Sequence, residues 1–300
     1  MANPNRDTTA GAAFIDLRAL AKTQGRNVAE LLDLYLLEGF LGRLAASPHS
    51  AHLVLKGGAL LAAYGTRRPT RDVDLLATDL HVDTDTVLVL VRDIAALPRG
   101  DGLEFDPASA AAHVIRDEDE YSGVRVSMTA TLGRARLTFH VDVNVGDPVW
   151  PTPGPVAVPG LLSGHVDLLG YPLPAVYAEK IVTALQRGTA NTRWRDFADV
   201  YLLRAQQDVD GTDLTTALAK VAEYRGVTLR PLSDALTGYA QLGQTRYRAW
   251  VQRRDLTDRL PAQFADLLDG VQQFADPALA GHASGQTWDH ITLAWPRQPR

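Results

Sequence analysis

Two carboxylates interrupt a stretch that otherwise reads as a buried strand, Asp72-Val73-Asp74-Leu75. Side chains in a strand repeat with period two, so Asp72 and Asp74 emerge on one face while Val73 and Leu75 turn toward a core. Adjacent unpaired carboxylates repel, and the arrangement asks for positive charge. Mg²⁺, which prefers hard oxygen ligands, meets that need. Thirteen residues upstream of the pair, the short strand "HLVLK" runs into Gly57-Gly58. A glycine pair at a strand-to-helix junction lets backbone N–H groups approach a phosphate, and the helix start adds a favourable dipole. Lys56 before the glycines and Thr70-Arg71 before the carboxylates add charge and a hydroxyl donor. Each piece alone has a plainer reading: a turn for the glycines, and a solvated strand end with Asp72 capped by Arg71 or Arg68 for the carboxylates. Jointly they describe a metal–triphosphate site.

A third carboxylate from a neighbouring strand is needed if two cations are to clamp the attacking and leaving oxygens. In "FHVDVNVGDPV" Asp142 sits within apolar alternation and is the expected third ligand, while Asp147 reads as a turn residue. His140, two residues before Asp142, reads as an ordinary strand histidine near the site. Further along, "YAEKIVTALQRGTANTRWRDFADVYLL" places Lys180 on an apolar helix and puts Asp196 and Asp199 three apart on one face of the next. An Arg195–Asp199 surface pair is the plainer account of that second helix.

The phrase "LKGGALL…RPTRDVDLL", with its apolar-Gly-Gly, thirteen-residue gap and Asp-apolar-Asp-apolar, resembles the signature of the polymerase-beta-like nucleotidyltransferase superfamily. More narrowly it is similar to the AbiEii/AbiGii-type toxin nucleotidyltransferase family (MenT-like), and the lead-in "LEGFLGRLAASPHSAHLVLKGG" agrees. The "D-x-x-x-G-D" phrase after residue 140 and "EKI…R…RDFADVY" are similar to later motifs of that family. The resemblance spans roughly residues 30–205. It implies nucleotidyl transfer, with Asp72, Asp74 and Asp142 holding Mg²⁺ and with Lys56, Gly57, Gly58, Thr70 and Arg71 around the phosphates of an NTP. Lys180 would neutralise triphosphate charge or assist pyrophosphate release, oriented by Asp196 or Asp199. It further implies RNA as acceptor, a tRNA 3′ end first, so that translation and growth stop, and a cognate antitoxin as partner. Modification of an aminoglycoside-type small molecule, kinase-like phosphoryl transfer and a catalytically dead nucleotide-binding regulator are the competing readings. A phosphate on Thr70 would repel the triphosphate, although a hydrogen bond to the turn or nucleotide is the simpler role for that hydroxyl.

The elements that must position these residues follow from periodicity. Residues 12–22 and 28–46 carry a leucine-rich helical face, and "ALLAAYG" continues the glycine pair as a helix. The segment 84–97 is an amphipathic helix, and 103–145 is β-rich with a hairpin turning at Gly133-Arg134. Proline and glycine crowd residues 147–173, which marks the expected boundary between a core with N-terminal helices (1–150) and a mostly helical domain (151–300). Helices are expected near 174–187, 194–207, 212–224 and 259–275. The fold class is therefore α/β (α+β): a polymerase-beta-like nucleotidyltransferase core on a mixed sheet, then a helical C-terminal half. In that half "QTRYRAWVQRRD" interleaves Arg246, Arg248, Arg253 and Arg254 with Tyr247 and Trp250, a pattern that suits phosphates and unpaired bases and equally suits a solvated helix.

The totals exclude several classes. With 300 residues, 46% apolar and 22% charged, the chain is an ordinary globular one. No apolar run reaches the roughly 18–20 residues of a membrane span. The absence of cysteine removes disulfides, thiolate nucleophiles and Cys-based zinc sites. The start "MANPNRDTTA" lacks a secretory pattern, so no membrane association and a cytoplasmic setting are expected. The net charge of −5 argues against an overall basic coat without forbidding a local basic patch. Only four lysines occur, and two of them, Lys56 and Lys180, fall inside the motifs.

Overall fold

The computed structural model describes residues 5–116, 122–146 and 148–296. Asp147 and the last four residues of the "WPRQPR" tail lie outside the described residues. The chain divides into two compact units. The first takes residues 1–63, 67–146 and 154–171, and the second takes 64–66, 147–153 and 172–300.

In the first unit α1 (Thr9–Gln24) starts at Thr8, whose hydroxyl accepts the Gly11 N–H, and ends at Gly25 in the left-handed conformation. Asn27 caps α2 (Val28–Ala45) by accepting from Ala29 N–H. Apolar on nearly every side, α2 is buried along most of its length, as a helix clamped between a sheet and other helices must be. Strand β1 (Leu53–Lys56) leads into a single helical turn, α3 (Gly57–Leu60), which continues as a 3-10 turn to Tyr64. The expected helix after the glycines is thus too short to bring much dipole to the junction. Strand β2 (Asp72–Ala77) follows, then α4 (Thr84–Ala95), capped by Asp83. Strands β3 (Leu103–Arg116), β4 (Ser122–Leu132) and β5 (Ala135–Asn144) come next, with β4 and β5 forming the expected hairpin.

Residues expected to open the second domain extend the sheet instead. Strands β6 (Gly154–Pro159) and β7 (His165–Gly170) form an antiparallel pair, and β7 docks parallel to β1. Six prolines and four glycines in residues 147–173 disguised it, and the edge position of β6 tolerates its own prolines. The seven-stranded sheet runs β3-β4-β5-β2-β1-β7-β6 and is mixed, with β2 parallel to β5 and antiparallel to β1. One face carries Val73, Leu75, Phe139, Val141 and Val143, all essentially buried. Phe40 of α2 meets Phe139 on that face at 5.4 Å between ring centroids, with Phe105 alongside. The opposite face of the central strands is where the charged residues emerge.

The second unit contains α5 (Leu173–Arg187), α6 (Trp194–Leu203), α7 (Gly211–Tyr224), α8 (Leu232–Ala235), α9 (Tyr239–Arg253) and α10 (Phe264–Leu279). A two-residue pairing of β8 (Val209–Asp210) with β9 (Thr287–Trp288) closes it. Its centre is aromatic: Trp194, Phe197, Tyr239, Tyr247 and Phe264 interlock at centroid distances of 4.9–6.4 Å. Tyr247 is therefore a core residue with its hydroxyl donating to the Pro261 carbonyl, and it offers no stacking surface to a base.

Candidate active site

Register, more than proximity in sequence, builds the site. Lys56 of β1 faces Asp74 of β2, Asp74 faces Asp142 of β5, and Asp142 faces Arg125 of β4. Four neighbouring strands thus carry one transverse row of charge in the order plus, minus, minus, plus. One rung away, Asp72 faces His140, which faces Ser127. His140 Nδ1 lies 2.8 Å from Ser127 Oγ. Period-two alternation puts both rungs on the face away from α2, as the strand pattern required.

The two carboxylates of β2 differ in their surroundings. Asp72 Oδ1 lies 3.9 Å from Arg125 Nη2. The Asp74 carboxylate accepts no hydrogen bond from any described residue, and burial together with Asp142 pushes its pKa up to about 6, Lys56 and Arg68 opposing. A carboxylate held in that state gains from a cation beside it.

Asp142 is almost fully buried and both its oxygens are engaged. Arg125 Nε donates to Oδ1 at 2.7 Å and Nη2 to Oδ2 at 2.6 Å, a fork-to-fork pair. The same contact holds the Arg125 guanidinium well above its ordinary pKa, with desolvation opposing. Asp72, Asp74 and Asp142 therefore share a face without converging. Among the described residues, only Asp208, Asp289 and His290 bring three potential ligand atoms within 4.8 Å of one another. That surface trio is accounted for by its own bonds: Asp208 Oδ1 accepts from His290 N–H and lies 2.7 Å from His290 Nδ1. The donor chemistry of the β2 pair, two oxygen ligands on one face, fits a hard divalent cation, and Asp142 in its present pairing does not add a third.

The glycines are required by contact as well as conformation. Gly57 has φ of 65°, and a Cβ there would lie 1.9 Å from Asp74 Oδ2. A side chain would displace the carboxylate itself. At Gly58 a Cβ would meet Arg68 Nη1 and Thr70 Oγ1, each at 3.0 Å, so backbone, guanidinium and hydroxyl line one spot. Thr70 Oγ1 also lies 3.5 Å from Asp72 N, close to the strand it precedes. Lys56 Nζ sits 5.3 Å from the Tyr171 ring centroid, a cation–π contact. Arg71 points elsewhere, largely exposed, with Nε 2.8 Å from Asp33 of α2. It does not cap Asp72.

In the second unit Lys180 of α5 meets both expected partners on α6. Its Nζ lies 2.8 Å from Asp199 Oδ2 and 3.2 Å from Asp196 Oδ1. The side chains are 12%, 3% and 19% exposed for Lys180, Asp199 and Asp196. Asp199 is thus a buried carboxylate with the lysine ammonium against it, and Asp196 closes the cluster from the outer side. On α9, Arg246, Arg248 and Arg253, with Arg254 just beyond it, are exposed.

Sequence reasoning missed Arg125. Its signal was present: a two-residue hairpin turn pairs Leu132 with Ala135, and that register alone carries Arg125 opposite Asp142.

Comparison with known proteins follows the same line. The family model for the AbiEii nucleotidyl transferase toxin of type IV toxin–antitoxin systems matches residues 39–291. Among solved structures, the nucleotidyltransferase toxin MenT4 of Mycobacterium tuberculosis H37Rv has a TM-score of 0.50 at 18% identity, covering 89% of this chain and 99% of that one. A Helicobacter pylori chain with a provisional nucleotidyltransferase assignment has a TM-score of 0.44 at 17% identity, covering 85% of this chain and 92% of its own. JHP933 of Helicobacter pylori gives 0.39 at 18%, with 83% and 87% covered. No curated protein gives a significant match. At these identities the likeness to MenT4 speaks for the fold, a mixed-sheet nucleotidyltransferase fold. The family match spans most of the chain, and the chain belongs to the AbiEii nucleotidyl transferase toxin family.

Proposed function

We propose that the protein is a metal-dependent toxin that transfers NMP from an NTP to RNA, a tRNA 3′ end being the first acceptor to test, and so blocks translation. The observation that carries this reading is the Asp72–Asp74 pair beside Gly57-Gly58, with Asp74 held at a raised pKa and without a hydrogen-bonding partner among the described residues. Asp72 and Asp74 would hold Mg²⁺, with Asp142 in the adjoining strand. A divalent cation bound there would supply positive charge to the triphosphate. The Gly57 and Gly58 backbone, Lys56, Arg68 and Thr70 would bind the phosphates. The acceptor oxygen forms its bond to the α-phosphorus as the bond to pyrophosphate breaks, so positioning and charge neutralisation provide most of the rate. Lys180 takes the role that the family resemblance gives this lysine, neutralising charge on the triphosphate, with Asp199 and Asp196 fixing its ammonium. The exposed arginines of α9 support RNA as acceptor, since they can bind phosphates without any stacking by Tyr247. A cognate antitoxin is the implied partner.

Incubation with each labelled NTP, Mg²⁺ and total tRNA tests the reading directly. Label should appear on RNA, and not in the Asp72→Asn variant. In a parallel incubation with an aminoglycoside in place of tRNA, label on the drug and none on RNA would move the assignment to small-molecule modification.

A further inference from the structure

The resting site binds its third carboxylate to an arginine. Arg125 and Asp142 face each other across β4 and β5, pair through two hydrogen bonds of 2.7 and 2.6 Å, and leave no Asp142 oxygen unengaged. The guanidinium also reaches Asp72, with Nη2 3.9 Å from Oδ1, so it spans the two outer carboxylates of the set. Asp72, Asp74 and Asp142 do not bring three oxygens within 4.8 Å of one another. A planar guanidinium suits such bridging, since its donors lie in a fixed fork and its charge persists at any working pH.

We propose that Arg125 occupies the place of a second cation: the nucleotide-free protein binds one divalent ion at Asp72 and Asp74, and Arg125 holds Asp142 out of its coordination shell. This rests on the nucleotidyltransferase reading and gives the site one exchangeable ion plus one fixed positive charge. Arg125 is then a positioning residue for the metal site. It sets how tightly the ion is held before substrate arrives, because Asp142 becomes a ligand only when the guanidinium lets go.

Mn²⁺ alone, titrated by calorimetry and by the loss of its free-ion magnetic resonance signal, tests this with nucleotide-free protein. Arg125→Met should tighten Mn²⁺ binding by tenfold or more, because it frees Asp142. The gain should disappear in the Arg125→Met/Asp142→Asn double variant. Arg125→Lys, which keeps the charge but loses the fork, should fall between wild type and Arg125→Met. Lys56→Met removes an equal charge facing Asp74 without freeing Asp142, and should tighten binding far less. Thermal melts of each variant establish that the protein compared is folded. Arg125→Met binding within threefold of wild type, or Lys56→Met matching its gain, overturns the proposal while leaving a one-metal enzyme intact. Wild-type protein that binds no Mn²⁺ at all, with folding verified, overturns the metal-dependent reading and this inference with it.

Discussion

Two clusters in this molecule set acid against base, and they are built in opposite ways. On the sheet, Lys56, Asp74, Asp142 and Arg125 are spaced by strand register, with Asp72 one rung away. In the helical unit, Lys180 is wrapped by Asp196 and Asp199 from one helix. The lysine cluster satisfies itself: its buried carboxylate has an ammonium at 2.8 Å. The sheet row cannot do so, because strands stand a fixed ~4.8 Å apart and side chains directly opposite cannot all turn toward one another. Arg125 chooses Asp142, and Asp74 is left with the opposing charges of Lys56 and Arg68, which do not offset its burial and the neighbouring Asp142. A cluster that closes on itself orients a group, whereas one held open by backbone spacing is suited to receive a ligand.

The largest test of that contrast is Asp74→Asn. Nucleotide transfer should fall by about 10³-fold, the equivalent of roughly 4 kcal/mol of transition-state stabilisation. The melting temperature should hold or rise, since the variant removes a crowded buried charge. Near-normal turnover at saturating Mg²⁺ would remove the ligand role of Asp74.

Lys180→Ala should behave differently. Turnover should drop by about 10²-fold. The protein should also lose roughly 3 kcal/mol of stability, because Asp199 is left buried without its ammonium. Pairing Lys180→Met with Asp199→Asn should restore the melting temperature and leave turnover low, and Lys180→Arg should rescue it only in part. Recovery of turnover along with stability would make the lysine purely structural.

The pH dependence of stability separates the clusters next. In metal-free protein the Asp74 carboxyl titrates near pH 6, against about 4 in the unfolded chain. Between those values the folded state retains a proton that the unfolded state gives up. The contribution therefore favours folding below about pH 4 and is lost as pH rises through about 6, on the order of 3 kcal/mol in all. Denaturation with a chelator present, at pH 5 and pH 8, should show wild type losing stability relative to Asp74→Asn. A gap that stays constant with pH would show that Asp74 ionises normally.

The smallest effects belong to α9. Arg246→Ala and Arg253→Ala should each weaken RNA binding a few-fold and lower its salt dependence by about one ion. Stability should change by less than ~0.5 kcal/mol, because both side chains are exposed. Unchanged RNA affinity in the double variant would move the acceptor surface off this helix.

Much of this was legible because it depended on short-range geometry. The shared face of Asp72 and Asp74 follows from the pleat and that of Asp196 and Asp199 from helical spacing, whereas the meeting of Lys180 with those two aspartates was expected only from the family resemblance. Helices α1, α2 and α4 were marked by apolar periodicity, and the structure supplies their caps at Thr8, Asn27 and Asp83. The second unit was less readable. Helix α9 was not anticipated over its full length, since its arginines mask a face built on Gly243, Tyr247 and Val251. Strands β6 and β7 were hidden among prolines and glycines that normally signal a linker.

The sequence by itself determined which residues lie on one face of a strand or helix, and through a two-residue turn it also determined that Arg125 stands opposite Asp142. These are consequences of covalent geometry acting over a few residues. Only the tertiary structure decided that β5 lies parallel to β2, that β1 lies antiparallel on its other side, and hence that Lys56, Asp74 and Asp142 fall in one row. It also decided that Tyr247 is spent on an aromatic core and that Arg71 turns to Asp33. Such pairings join segments tens of residues apart, and which of them forms depends on the burial of whole faces, a quantity that local periodicity does not carry.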